Sequence, residues 1–382
     1  MPFIGYCINL NCRRPQNPDD ISYCQSCSAN FHLQNRYTPS KLLGISAMSR
    51  TFLAWDDQKN THCVIKQFTP QAWKTSNLKE ISARFQQEVE RLEQLGKHPQ
   101  IPSLIDSFSQ GGCPYLVQEF IEGLTLEGEL SQGEKFTEAK VWQLLTDFLP
   151  VLDYVHNQDV LHRDIKPENL IRRKSDDKIV LVDFGAAKII TPSRRRGTVI
   201  GSPGYAAPEQ TFGNATKASD IYSLGLTCLH LMTGMEPLDL FSQDGHLVWR
   251  DFLVDNPVSN TLGEVLEKMT QPFLQLRYSS TSDLLGILKE QRQTSSKSGV
   301  RHTLDSLTVK QKNFLYKQVF PDAIPFLPGK PPAPSQIVEE VYQFLEAAVS
   351  DKRKSVPVIE KIILEHWLGE IGSILETVCK CM

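Results

Sequence analysis

The chain has 382 residues, 40% hydrophobic and 22% charged, with a formal net charge of −3. That is an ordinary globular balance, with length for two or three domains of about 100–200 residues each. A charge so close to neutral gives no footprint for nucleic acid or an anionic membrane, and no run reaches the ~18 apolar residues of a membrane helix. The start, MPFIGYCINLNC, has neither the basic opening nor the long apolar stretch of a signal peptide, so the expected setting is cytoplasmic.

Residues 1–34 are polar and hold four of the nine cysteines: Cys7, Cys12, Cys24 and Cys27. Two short-spaced pairs on separate turns offer four thiolates tetrahedrally to Zn²⁺. In a reducing compartment such clusters point to metal rather than to disulfides. A segment this short buries too little core to fold alone, so a metal would supply its stability. The other reading is four reduced thiols in a disordered arm. Either way the core of the long segment after residue 34 is expected to be separate from this one. Only Arg13 and Arg14 lie close by, which falls short of a nucleic-acid footprint. Cys63, Cys113 and Cys228 read as small core residues, and Cys379 and Cys381 as thiols at a frayed end.

From about Tyr37 the pattern is strand-like. Ser49 to Trp55 and His62 to Phe68 mix β-branched and aromatic residues in alternation. Leu78 to Leu95 carries Ile81, Phe85, Val89, Leu92 and Leu95 at helical steps, and Gly96 with Pro99 ends the helix. Tyr115 to Ile121 reads as a strand. Beyond Gly123 the chain turns helical, over Thr137 to Gln158, Lys217 to Thr233 and Leu262 to Met269. Residues 291–335 read as a linker, polar at first and then extended, with six prolines between 320 and 335. Residues 336–382 show helical periodicity on two segments. Their apolar faces need cover, from a partner protein or from the rest of the chain.

The chemistry lies in two short segments. Leu161 to Leu170, LHRDIKPENL, sets the carboxylate of Asp164, the amine of Lys166 and the carboxamide of Asn169 within six residues. Asp183 comes nineteen residues after Asp164, in Asp183-Phe184-Gly185 behind the apolar strand IVLV. Phosphoryl transfer needs a group to position the attacking hydroxyl, oxygen ligands for Mg²⁺ and a cation on the phosphates. These segments supply all three.

With these motifs the chain resembles the Hanks-type Ser/Thr protein kinases from about Tyr37 to Gln291. The resemblance implies an α+β, bilobal kinase fold, with an N-lobe over 37–121 and a C-lobe over 122–290; outside its span, the zinc-ribbon-like module of 1–34 precedes the kinase fold and the helical tail read from the periodicity of 336–382 follows it. It implies ATP and Mg²⁺ as cofactors and an unidentified protein substrate. Lys66, in CVIK, matches the lysine that holds the α- and β-phosphates, and Glu88 the glutamate that orients it. Gln118 matches the gatekeeper, and Glu119 to Ile121 the hinge that meets adenine. Asp164 matches the catalytic aspartate, Lys166 the lysine that stabilises the transferring group, and Asn169 and Asp183 the Mg²⁺ ligands. Glu209, in Ala207-Pro208-Glu209, is expected to pair with Arg277, and Asp220 to brace the catalytic loop. Lys166 and Ser202 mark the Ser/Thr rather than the Tyr branch. Arg163, just before Asp164, goes in the family with activation-loop phosphorylation. Thr198 and Thr191, beside Arg194 to Arg196, are the candidate phosphosites. With Arg50 to Ala54, the cysteine prefix looks like that of the four-cysteine subgroup of bacterial kinases.

The Gly-rich loop departs from the family. Where GxGxxG is usual, the matching residues are Gly44, Ser46 and Ser49. Glycine there lets backbone amides approach the phosphates with no Cβ in the way. If either serine needs φ > 0, it is strained by roughly 1–2 kcal/mol and ATP affinity falls. Two functions are then open: an active Ser/Thr kinase, or a scaffold that uses the kinase fold without turnover.

Overall fold

The computed structural model describes residues 5–18, 21–30, 32–46, 49–69, 78–189, 202–254 and 256–289. The chain divides into two units, Met1–Leu285 and Gly286–Met382, and the site lies in the first. The linker, the helical tail, Thr191, Arg194 to Arg196 and Thr198 lie outside the described residues.

The chain opens with a small ribbon, β1 (Gly5–Tyr6) paired antiparallel with β2 (Gln16–Asn17). Five strands then make one antiparallel sheet: β3 (Tyr37–Ile45), β4 (Ser49–Asp56), β5 (Thr61–Phe68), β6 (Leu104–Gln110) and β7 (Cys113–Glu119), in the order β3-β4-β5-β7-β6. Helix α1 (Leu78–Leu95) crosses between β5 and β6. It stops where the spacing predicts: a Cβ on Gly96 would lie 2.6 Å from the Leu92 carbonyl oxygen and 3.0 Å from that of Pro102, so only glycine lets the chain turn here. Strand β6 has no counterpart in the sequence reading. Its side chains are half-buried or exposed, as suits an edge strand, and its residues carry little apolar alternation.

Alternation along the strands gives the sheet two faces. On the inner face Phe68 meets Phe85 of α1 edge-on at 5.4 Å. On the outer face Phe52, Ala54, Cys63 and Ile65 form one core with Cys113, Tyr115 and Val117, and Ile8 and Leu33 of the cysteine module are buried in it too. The expectation of separate cores is therefore corrected: the module covers a sheet face that antiparallel sheets often leave to water.

Beyond β7 the chain crosses to a helical lobe. β7 ends at Glu119 rather than Ile121, because Phe120 to Glu122 leave the ladder to make the crossing. The lobe contains β8 (Gly123–Thr125), α2 (Leu126–Ser131), α3 (Glu138–Asn157), β9 (Val160–Leu161), β10 (Leu170–Arg173), β11 (Ile179–Leu181), β12 (Lys188–Ile189), α4 (Pro208–Thr211), α5 (Lys217–Thr233) and α6 (Asn260–Met269). Every residue of α5 from Ala218 to Thr233 is buried, which marks it as the central helix of this lobe. The Ser219 hydroxyl accepts the Thr216 N–H at 2.9 Å and so fixes the start of α5, with Asp220 in its first turn. α6 begins two residues before Leu262 because Ser259 caps it through the Leu262 N–H. Cys63, Cys113 and Cys228 are buried, as expected of core residues.

Candidate active site and four-cysteine cluster

The loop between β9 and β10 is held from below by α5. Asp220 accepts the backbone N–H of His162 at 3.0 Å and of Arg163 at 2.7 Å, and meets His156 Nε2 at 2.8 Å. Gln210 of α4 holds the other side of the same residue, its Nε2 donating to the Arg163 carbonyl at 2.6 Å. These bonds hold Arg163 at φ +66°, a left-handed conformation that a side chain adopts at a cost. The next residue, Asp164, is thereby presented to the cleft. Its Oδ1 accepts the Ser202 hydroxyl at 2.7 Å and the Ser202 N–H at 3.1 Å. Its Oδ2 accepts Asn169 Nδ2 at 3.0 Å. Lys166 Nζ donates to Ser202 Oγ at 2.7 Å and stands 3.6 Å from Asp164 Oδ2. Glu209 and Arg277 pair at 2.8 Å, as expected.

Across the cleft, Lys66 Nζ lies 2.7 Å from Glu88 Oε1 and 2.8 Å from Asp183 Oδ1. Burial pulls Lys66 down, but the charges of Asp183 and Glu88 outweigh it and hold the amine above the ordinary lysine range. The Lys66 charge holds Asp183 down to about 2, and burial pushes Glu88 up. Asp183 itself takes φ +63° and accepts the Gly185 N–H at 3.2 Å. A Cβ on Gly185 would lie 2.7 Å from Lys66 Nζ and 3.1 Å from Asp183 Oδ1, so the cluster is packed onto a bare glycine. Asn169 commits its Nδ2 to Asp164, which leaves its carboxamide oxygen, with the Asp183 carboxylate, as the donor set for a hard cation.

The β3–β4 hairpin carries Gly44, Ser46 and Ser49. Ser46 has no positive φ, Ser49 lies in the extended run of β4, and a Cβ on Gly44 would meet nothing within 4 Å. The expected strain is absent. Instead the hydroxyls bond each other at 2.9 Å, and the Ser49 N–H donates to Ser46 Oγ at 3.1 Å, joining the residue after β3 to the first of β4. Gln118 pairs with Val64 in the ladder. The Glu119 N–H is committed to the Ser103 carbonyl at 2.9 Å, and the Glu119 carboxylate accepts the Ser103 hydroxyl at 3.0 Å. Ile121 is buried.

The four cysteine sulfurs lie within 4.8 Å of one another. Cys7 and Cys27 approach to 3.6 Å, and Cys12 and Cys24 to 3.5 Å. Sulfurs about 2.3 Å from a central ion stand about 3.8 Å apart in a tetrahedron, so the cluster fits one. Donors surround it: Asn9 Nδ2 lies 3.6 Å from Cys27 Sγ, Asn17 Nδ2 lies 3.5 Å from Cys24 Sγ, and the Ser26 N–H lies 3.4 Å from the same sulfur. Burial pushes the Cys24 thiol up, but the N–H groups of Ser26 and Cys27 with Cys12 and Asn17 bring it down to about 6. Such donors favour thiolates.

Sequence reasoning missed His156 and Gln210, which act on the loop through Asp220 and Arg163. Neither lies in a short motif. The available signal was a histidine on the apolar face of α3, between Val155 and the helix end, where nothing polar belongs without a partner.

The family model for the protein kinase domain matches residues 37–295. Serine/threonine-protein kinase B of Synechocystis sp. is 39% identical over 300 residues, which cover 75% of this chain and 52% of that protein. Serine/threonine-protein kinase PknA of Nostoc sp. is 38% identical over 269 residues, 67% of this chain and 47% of its own length. Serine/threonine-protein kinase C of Synechocystis sp. is 38% identical over 269 residues, 67% of this chain and 50% of its own length. The chain thus spans about half the length of these curated relatives. On its sequence match, its two lobes and its assembled cleft, the chain belongs to the protein kinase family, in the Hanks-type Ser/Thr branch found in bacteria.

Proposed function

We propose that this chain transfers the γ-phosphoryl group of ATP to Ser or Thr hydroxyls of a protein substrate. The observation that carries the reading is that Lys66–Glu88, Asp183 and Asp164 are in position together. In this reading Asp164 orients the substrate hydroxyl and takes up its proton, and Lys166 faces the charge on the transferring group. Lys66, fixed by Glu88, holds the α- and β-phosphates. Gly44, Ser46 and Ser49 cover the phosphates, and Gln118, Glu119 and Ile121 border adenine. Asn169 and Asp183 would hold Mg²⁺, which when bound neutralises charge on the phosphate oxygens. The scaffold alternative has no observation in its favour, since none of these parts is missing.

The finer assignments belong to the same proposal. Cys7, Cys12, Cys24 and Cys27 bind one structural Zn²⁺, as in the four-cysteine subgroup of bacterial kinases. Thr198 is the regulatory phosphosite and docks on Arg163. In support, the Arg163 guanidinium is buried, with Arg91 and Arg84 close enough to bring it down to about 10 behind the effect of burial. A phosphate suits such a place. The helical tail serves a protein partner or the kinase unit, and the setting is cytoplasmic, without nucleic acid or membrane. No helix among the described residues is long and apolar enough to cross a membrane.

The test is phosphotransfer from labelled ATP by the wild-type chain and by Asp164→Asn. The variant is expected to bind nucleotide and to transfer no phosphate. Wild-type turnover by Asp164→Asn would sink the reading.

A further inference from the structure

Arg50 of β4 and Gln67 of β5 stand directly opposite each other on the outer face of the sheet. Arg50 Nε and Nη2 both donate to Gln67 Oε1, at 3.1 and 2.6 Å. Arg50 Nη2 also donates to the backbone carbonyl of Ile8, the residue after Cys7. Gln67 Nε2 donates to the same carbonyl at 3.2 Å and to the Tyr115 hydroxyl at 2.9 Å. One carbonyl of the cysteine module is thus gripped by two adjacent strands. The Arg50 guanidinium lies over the Phe52 ring at 5.3 Å, and among the described residues no carboxylate forms an ion pair with it. A half-buried cation without a counter-charge needs one nearby. Four thiolates around a divalent ion leave a net charge of −2, and the first of those thiols belongs to Cys7, one residue from the gripped carbonyl.

The opposite face of the same strands carries the nucleotide-facing residues. Ser49 and Thr51 flank Arg50, and Lys66 precedes Gln67 and pairs with Thr51. Because successive side chains alternate between faces, fixing Arg50 and Gln67 from outside sets where Ser49 and Lys66 stand inside. We infer that Arg50 is a positioning residue for phosphotransfer: through Gln67 and the Ile8 carbonyl it ties the β3–β4 hairpin to the four-cysteine module, and so holds the hairpin over the ATP phosphates. This rests on the kinase reading above, in which the hairpin covers phosphate.

The test uses the full chain with Arg50→Met and Arg50→Lys. Three things are measured: affinity for a non-hydrolysable ATP analogue and for adenosine, KM and kcat for ATP, and hydrogen exchange across residues 42–51. Arg50→Met is expected to weaken the analogue and raise KM by about three- to tenfold, the scale of one ordinary hydrogen bond, because only part of the lost Arg50 contact is felt at the phosphates. Adenosine affinity, kcat at saturating ATP and metal content should stay as in the wild type, while exchange in the hairpin quickens. Arg50→Lys, which keeps the charge but loses the fork, should recover part of the loss, and it carries the test alone should Arg50→Met not fold. A merely structural Arg50 would weaken ATP and adenosine alike, and that result overturns the inference. If the wild type binds ATP and both variants bind it as tightly, the inference fails and the kinase reading stands. A wild type that binds no nucleotide overturns both.

Discussion

The hydroxyls of Ser46 and Ser49 join the end of β3 to the start of β4, and the double change Ser46→Gly with Ser49→Gly removes both. It deletes the 2.9 Å hydroxyl–hydroxyl bond and the 3.1 Å acceptor of the Ser49 N–H. At about 0.5–1.5 kcal/mol net for each bond, that is about 1–3 kcal/mol of hairpin order. Each glycine adds about 0.5–1 kcal/mol of backbone entropy to be lost when the loop closes. Opposing this, no strain is relieved, since Ser46 has no positive φ and Ser49 lies in the extended run of β4. If half of the total is felt when ATP binds, KM for ATP rises by about tenfold, the equivalent of about 1.4 kcal/mol. The assay is steady-state kinetics in ATP alongside adenosine binding, which is expected to be unchanged because adenosine has no phosphate. A KM that falls would refute the reasoning. It would mean that the Cβ atoms obstruct the phosphates and that the hydroxyl bonds hold nothing of consequence.

Gly185→Ala sets a Cβ 2.7 Å from Lys66 Nζ. It is expected to cost about tenfold in kcat through a displaced lysine, and unchanged turnover would show that the Lys66 position is not needed. Removing metal with a chelator should lower the melting temperature of the kinase unit, since Ile8 and Leu33 belong to its outer core. Loosening both by about 3 kcal/mol corresponds to about 6–12 °C, and a melt indifferent to the chelator, with one metal per chain before treatment, would count against this. Burial holds the His162 imidazole below its ordinary pKa. Its contribution to stability is therefore present in full above about pH 6.5 and is lost as pH falls from there toward the depressed value. His162→Phe should melt with a smaller difference between pH 7.5 and 5.5 than the wild type, and an equal difference would show that another group sets that slope.

Legibility in the sequence tracks distance along the chain. Asp164, Lys166 and Asn169 sit within one short loop, so their spacing already implies their meeting, and the helical period of α1 marks both its end and its buried face. The Lys66–Glu88 pairing came from family resemblance, not from any local pattern. Contacts between distant segments that no family motif carries were hidden. Asp220 meets His156 across 64 residues, and Arg50 reaches Ile8 across 42, with no periodicity to announce either. The shared outer core was missed for the same reason: Ile8 and Leu33 look like isolated apolar residues until the sheet face they cover is known. The serines misled because residue type limits φ without fixing it. Once the hairpin takes ordinary extended angles, a glycine consensus ceases to be a steric demand.

The left-handed backbones of Arg163 and Asp183 have a thermal consequence. Each costs of order 1–3 kcal/mol and persists only while neighbours over-determine it. For Arg163 those neighbours are Asp220 and Gln210. For Asp183 they include its own bond from the Gly185 N–H and the ammonium of Lys66. Warming that slackens these few bonds lets both residues relax to ordinary angles and carries the carboxylates of Asp164 and Asp183 out of register, while α5 and the sheet remain intact. Catalytic competence therefore has a lower ceiling than the fold. Heat inactivation should precede the loss of helical signal and reverse on cooling, because local openings of this kind lie well below global unfolding in free energy.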